Sequence, residues 1–442
     1  MRVLMYGWEF PPRISGGLGV ACYAIVKELA RQNVDVTLVL PFAVQAESQI
    51  NGTKFITCDS PANFNSRNTH GTVDIKYTGL TSALTPYFSS MDLQQVMKHA
   101  NLEDSLQILE KISLPAEIKH IIEASLRSAD LSTISGKYGV GLLTEVLNYA
   151  LLAGNLARNN PHDVIHAHDW LTILAALEAK KISHKPLVLH IHALETDRSG
   201  EWVDQRIFAI EKYGMEHADR IITVSQYTKN MAIKHYGIPA NKISVVHNGT
   251  YFSTTNFAAR ANPERPRMVL FLGRITQQKG PYFFVKIAEK ILKKRKDIQF
   301  VLVGTGDLFR DMIEKVAELR IGTNVHFTGF LANEQVKRIF ALADVYVMPS
   351  VSEPFGLSCL EALVHKVPVV ISKQSGVAEV LKNVLVADFW DVDDMAAKVL
   401  AMLEYKALYE TSLNQSYAEV THLTWSKTAE AILRVYTQLQ GK

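Results

Sequence analysis

The stretch SVSEPFGLSCLEALV (Ser350–Val364) carries two glutamates, Glu353 and Glu361, on either side of a loop containing Pro354 and Gly356. Carboxylates in that setting have two roles open to them. They can stabilise a helix start, where the macrodipole favours negative charge, or they can accept hydrogen bonds from the hydroxyls of a ligand. Gly356 and the amides around it, before a helix expected near Leu357 to Glu361, form a candidate cradle for an anion or sugar. A second stretch, FLGRITQQKG, bears on the choice by setting Arg274 and Lys279 ahead of a helix that begins near Pro281. Alone, each cation reads as an exposed basic side chain. Together they suit a diphosphate, through bidentate and point-charge contacts. Cations for a diphosphate plus carboxylates for hydroxyls describe a nucleotide-sugar.

The first half of the chain adds further candidates. GWEFPPRISGGLG places Gly16, Gly17 and Gly19 ahead of a helix expected near Val20, where backbone amides can approach an anion. A plain flexible loop explains those glycines equally well. HAHDW sets His166, His168 and Asp169 after a strand, and HIHALETDRSGE adds His190, His192, Glu195, Asp197 and Arg198 after the next. Metal binding and polar contact with substrate are both open to such residues, but HxH with one carboxylate lacks a clear set of further ligands. Polar residues repeating at successive strand ends are hard to explain by packing, which favours a site. The denser charge run KILKKRKD, ending at Asp297, reads as a solvated helix C-terminus instead.

These residues need a scaffold that gathers strand ends. Short apolar runs alternate with helical patterns almost throughout: RVLMY, VDVTLVL, DVIHA, PLVLHI, RIITV and ISVVH, then MVLFLG, IQFVLVG, VHFTG, DVYVMP, VPVVIS and VLVA. Near-continuous apolar strands with crossover-length spacers predict an α/β chain of parallel, doubly wound sheets. The rhythm pauses at HNGTYFSTTNFAARANPERPR, about residues 247–267, which reads as a linker. The expectation is two Rossmann-like domains facing a central cleft, 1–250 and 251–420. Residues 421–442 would be a last helix packing back on the first domain. LEDSLQILEKISLPAEIKHIIEASL reads as two helices broken at Pro115. Residues 90–135 carry no usable motif.

Composition sets the outer bounds. A chain of 442 residues exceeds one ordinary core. It is 48% hydrophobic and 21% charged, the balance of a soluble globular protein. Lys plus Arg number 47 against 44 Asp plus Glu, which gives no reason to expect nucleic acid. Three scattered cysteines fit a reducing cytoplasm better than a disulfide framework or zinc site. No apolar window is long enough to span a membrane. YGVGLLTEVLNYALLAGNLA reads as a buried amphipathic helix, and peripheral membrane contact stays open. The second strand ends TLVLPF with no acid, which disfavours NAD.

The chain resembles the GT-B glycosyltransferases of retaining family 4, and is similar to the glycogen and starch synthases. WEFPPRISGGLG, HAHDW, HALETDR, VSQYTKN, VVHNG, GRITQQKG and EPFGLSCLEAL stand in that family's order and cover nearly the whole chain. The resemblance implies that Arg274 and Lys279 hold the donor diphosphate and Glu361 the ribose. It implies that Glu353 contacts the transferred sugar, beside amides near Phe355, Gly356 and Leu357. The Gly16–Gly19 loop would close over the phosphates, and His168, less surely His166, would lie at the reacting centre. His166, Asp169, His192, Glu195 and Arg198 are the cleft and acceptor-side candidates. Leu194 departs from the family's HATE pattern, which bears on the acceptor side, and Thr250 from HNGV; RQNVDV, in place of a Gly-His, reads as structural.

The expected activity is transfer of a hexosyl, most plausibly glucosyl, group from a UDP-, ADP- or GDP-sugar to a carbohydrate or other hydroxyl acceptor, with no metal required. A family 4 enzyme of cell-surface polysaccharide or glycolipid synthesis is the alternative. More remote are a nucleotide-sugar epimerase, an NAD-dependent oxidoreductase and a non-catalytic nucleotide-sugar-binding protein. Oligomeric state is not legible in the sequence.

Overall fold

Strand segments such as VIHAH and LVLHI are buried along their whole length, as a sheet requires when helices cover both faces. The computed structural model describes residues 1–14, 16–42, 50–58, 102–112, 114–127, 140–200, 202–252 and 265–441. Part of the expected linker and most of the stretch about 43–135 therefore lie outside the described residues.

The first sheet is built from β1 (Arg2–Tyr6), β2 (Asp35–Leu40), β3 (Thr53–Thr57), β4 (Val164–His168), β5 (Leu187–Ile191), β6 (Arg220–Thr223) and β7 (Ile243–Val245). All pairs are parallel, in the order β3-β2-β1-β4-β5-β6-β7. The second is built from β8 (Arg267–Leu272), β9 (Ile298–Val303), β10 (Val325–Gly329), β11 (Val345–Met348), β12 (Val369–Ser372) and β13 (Leu385–Ala387). It is also parallel, in the order β10-β9-β8-β11-β12-β13. Both orders reverse direction beside their first strand, between β1 and β4 and between β8 and β11. Ligands of doubly wound sheets bind outside such switch points.

In the first half the helices are α1 (Gly17–Arg31), α2 (Leu102–Lys111), α3 (Ala116–Arg127), α4 (Val140–Asn155), α5 (Trp170–Ser183), α6 (Glu195–Ser199), α7 (Gln205–His217) and α8 (Gln226–Tyr236). In the second they are α9 (Pro281–Leu292), α10 (Phe309–Glu318), α11 (Asn333–Leu342), α12 (Leu357–Val364), α13 (Val392–Glu404), α14 (Lys406–Val420) and α15 (Trp425–Gln440). The break between α2 and α3 falls at Pro115, where a proline inside a helix would lose a hydrogen bond and clash with the preceding turn. On α4, Leu142, Leu143, Val146, Leu147 and Ala150 are buried, while Glu145, Asn148 and Asn155 are less so. No helix of the described residues is long and apolar enough to cross a membrane.

The last helix, α15, leaves the second domain and buries Trp425, Ala429, Ile432 and Tyr436 against Val3, Met5, Ala24 and Ile25 of the first. Where the chain returns, Thr250 N donates to Leu423 O at 2.9 Å. A side chain at Gly249 would begin 2.3 Å from the Thr424 backbone, so only glycine fits there. The two chain crossings between the domains thus lie side by side.

Candidate active site

At the second sheet's switch point, the loop after β8 is stitched to the loop after β11. Gly280 has a φ of +69°, and a side chain there would begin 2.0 Å from Pro349 O. Glycine relieves both constraints. Next to it, Val351 N donates to Gln278 O at 2.9 Å. The stitching brings Lys279 onto Glu353, Nζ to Oε2 at 2.6 Å, and Ser350 Oγ donates to the same oxygen at 3.2 Å. Arg274, partly buried in the same loop, reaches Gln278 Oε1 at 3.5 Å. Burial pushes its guanidinium down to about 10, against the pull of Glu9, Glu353 and Asp307. Two cations and a carboxylate therefore meet at the C-terminal ends of β8 and β11.

Helix α12 completes this half. Gly356 is its N-cap and Leu357 its first residue, so its free amides open beside Glu353. Glu361 lies one turn further on, half-buried, and burial pushes its carboxyl up to about 7. Its carboxylate has no hydrogen-bond partner among the described residues. Phe355 is buried and stacks on His247 of the first domain, ring centroids 6.0 Å apart. Leu357 reaches across too, its Cδ1 3.3 Å from where a side chain at Gly17 would begin.

On the facing domain, α1 starts at Gly17 with Gly16 as N-cap, so the glycines form the first turn and do not merely precede it near Val20. The strand-end histidines gather as well. Period-two alternation puts His166 and His168 on one face of β4, and His190 and His192 follow suit along β5, with His168 paired to His190 in register. His168 Nδ1 lies 2.9 Å from His192 Nε2, and His166 Nδ1 makes a short hydrogen bond with Tyr436 OH. His166, His168 and His190 are fully buried, whereas His192 is partly exposed, so His168 meets the cleft through His192. Burial lowers all four imidazoles, His166 and His192 to about 3, and keeps them neutral.

Three expected cleft residues are turned elsewhere. Asp169 Oδ1 accepts from His192 N at 2.6 Å and Ala193 N at 3.3 Å, which fixes the turn after β5 and points it away from the imidazoles. Burial pushes its carboxyl up to about 6, with Arg198 and the two amides pulling the other way. Glu195 and Arg198 face inward. Arg198 donates to Glu211 Oε1 at 2.5 Å, to Glu195 Oε2 at 3.2 Å and to Ala193 O at 2.9 Å, and Tyr236 OH donates to Glu211 Oε2 at 2.5 Å. Buried charges need such partners, so this pair braces α6 against α7 and α8. Leu194, expected to bear on the acceptor side, is fully buried in the apolar core. Thr250 belongs to the crossing between the domains.

Residues not singled out in the sequence join the two halves. Ser352 Oγ donates to Asp197 Oδ1 at 2.6 Å and lies 3.0 Å from Tyr227 OH. Ser225 Oγ donates to Pro354 O at 2.6 Å. Glu379, at the end of the 3-10 turn Gly376–Glu379, caps the start of α8: Gln226 N donates to it at 2.8 Å and Tyr227 N at 3.2 Å. His247 Nε2 donates to the same carboxylate at 2.6 Å. Burial would raise the Glu379 carboxyl, but these bonds outweigh it and hold it below the ordinary range. Its one sequence signal was a charged residue soon after the strand VPVVIS.

Comparison with known proteins matches the chain in three separate parts. Residues 2–100 match the starch synthase catalytic domain, 141–251 match glycosyltransferase family 4, and 252–418 match glycosyl transferases group 1. An uncharacterized glycosyltransferase of Methanocaldococcus jannaschii is 26% identical, covering 99% of this chain and 98% of its own. A glycogen synthase of Mycobacterium tuberculosis is also 26% identical, over 99% of this chain and 94% of its own. In fold, the chain is similar to sucrose-phosphate synthase from Thermosynechococcus elongatus, at TM-score 0.69 and 17% identity, covering 100% of this chain and 99% of that one. It is likewise similar to Anabaena HepE in complex with UDP-glucose, at TM-score 0.65 and 17% identity, covering 99% and 100%.

Proposed function

The chain is a GT-B glycosyltransferase that resembles the glycogen synthases, and on that footing we propose that it moves a glucosyl group from a nucleoside diphosphate sugar to a carbohydrate hydroxyl, with retention of configuration. One observation carries this reading: Arg274, Lys279, Glu353 and the open amides of α12 converge at a switch point that faces the glycine turn of α1.

In this reading the diphosphate lies between the two cations and the amides, which stabilise the charge that grows on it as the C1–O bond breaks. Glu361 accepts from the ribose hydroxyls. Glu353, with one oxygen already held by Lys279 and Ser350, accepts from the transferred sugar through the other and steadies the developing positive charge. The acceptor oxygen attacks C1 from the side the diphosphate leaves, and its proton passes to the departing phosphate oxygen. His192, backed by His168, positions the sugar from the first domain. The cations stand where a divalent ion would otherwise be needed. UDP-glucose is the first donor to try, since HepE is similar in fold and binds it. The three buried cysteines are compatible with a cytoplasmic setting.

The test is product analysis. Purified protein is incubated with UDP-, ADP- or GDP-glucose and a glucan primer, and the anomeric configuration of the new bond is read by NMR. Primer extension with a retained linkage is the expected result. Release of sugar from no donor, or an inverted linkage, overturns the reading.

A further inference from the structure

His190 is unused by that mechanism: it lies beneath the cleft and touches no proposed substrate. Its position is nonetheless specific. The ring centroids of His166 and His168 are 4.6 Å apart, and each lies 5.4 Å from that of His190. One nitrogen from each of the three rings lies within 4.8 Å of the other two. His166 Nε2, His168 Nε2 and both nitrogens of His190 are buried with no hydrogen-bond partner. Buried polar atoms are nearly always satisfied, so several unsatisfied nitrogens in one place call for a ligand.

We propose that His166, His168 and His190 form a three-imidazole site for a divalent transition metal of the zinc–cobalt–nickel class. The donor set is all nitrogen, which suits those ions and not magnesium or calcium. The outer partners fit as well. A ligating imidazole uses its second nitrogen to hold its orientation. Here His166 Nδ1 is engaged by Tyr436 OH and His168 Nδ1 by His192 Nε2. Metal–nitrogen bonds of about 2.0–2.1 Å require the three nitrogens to draw closer than 4.8 Å, a shift that rotation of the rings can supply. His192, stacked at 4.3 Å on His190 and partly exposed, marks the route in from the cleft. Resting on the transferase reading, occupancy would fix His168 against His166 and His190 and reversibly slow transfer.

The experiment uses full-length, chelator-stripped protein titrated with cobalt, read by the visible absorption of four-coordinate cobalt and by displacement with zinc. The wild type is expected to bind one equivalent, and His190→Val to bind at least about tenfold more weakly. Tyr436→Phe, which keeps the ring and removes the outer partner, is expected to weaken binding about tenfold. Zinc should inhibit the wild type, with recovery on chelation, and leave His190→Val largely active. Absence of stoichiometric cobalt binding, or equal binding by wild type and both variants, overturns the site. Because cobalt absorption needs no turnover, failure of the transferase reading alone would leave that readout intact.

Discussion

Lys279 and Glu353, from loops that follow different strands of the second sheet, share an ion pair of 2.6 Å in which the glutamate is the more buried partner. In the proposed reading, donor binding divides Lys279 between a carboxylate and a diphosphate. Lys279→Ala should lower turnover by at least about tenfold, the scale of one charge-assisted contact. It should also cost about 1–3 kcal/mol of stability, because Glu353 is left without its cation. Adding Glu353→Gln should recover the stability and not the turnover. Thermal denaturation and steady-state rates on the double-mutant cycle read the two effects separately.

Glu361 and Glu353 should then differ in what they bind. Glu361→Gln is expected to weaken the free nucleoside diphosphate. Glu353→Gln releases Lys279, so diphosphate affinity should hold or rise while kcat falls. Calorimetry with the diphosphate decides it. Equal losses in the two variants would sink the division of labour.

The pH dependence follows from burial of Glu361. With its folded value raised to about 7, the folded protein holds this proton longer than the unfolded chain. Its contribution to stability is present at low pH and is lost as pH climbs from the ordinary carboxylate range towards 7. The ionised form is the better acceptor for ribose, so diphosphate affinity should increase between about pH 6 and 8. Glu361→Gln should flatten that profile.

Glu379 holds the domains together from the other side. Glu379→Ala removes bonds from His247 and two amides at the start of α8. The variant should expand in solution scattering and raise the donor KM about tenfold, the scale of one charged hydrogen bond. Because the folded Glu379 value is depressed, the clasp is intact above the ordinary carboxylate range and should open as pH falls through the folded value. An unchanged radius of gyration in Glu379→Ala would count against closure through this contact.

Chelation is the fifth lever. With Arg274 and Lys279 in place of a divalent ion, turnover should survive EDTA at full rate or above it. Loss of activity with rescue by manganese would reassign the diphosphate chemistry to a metal.

The strands themselves are legible because parallel strands covered on both faces are largely apolar, as VYVM of β11 is throughout and IQFVLV of β9 nearly so. β3, reading TKFIT at the sheet's edge, mixes polar and apolar residues and gave no such signal. Arg274 and Glu353 are legible as candidates because each follows a strand within a few positions. Glu195 and Arg198 read as cleft-side residues in ETDR, yet Glu211 and Tyr236, which draw them inward, arrive from later helices. Local pattern carries no record of such pairings. The same holds for Glu379, whose function depends on a helix start in the other domain.

The paired crossings at Gly249 and Thr424 make the second domain an insertion within the first. The face of the first sheet that receives Trp425 and Tyr436 must wait for residues that leave the ribosome after the whole second domain. At ~5–20 residues per second, that wait is roughly ten to forty seconds after β7 has emerged. Synthesis order and folding order are thus inverted. The domain made second is contiguous and can finish first, while the domain begun first stays incomplete until α15 has been made. A nascent chain stalled before residue 425 would carry a finished second domain and an incomplete first one.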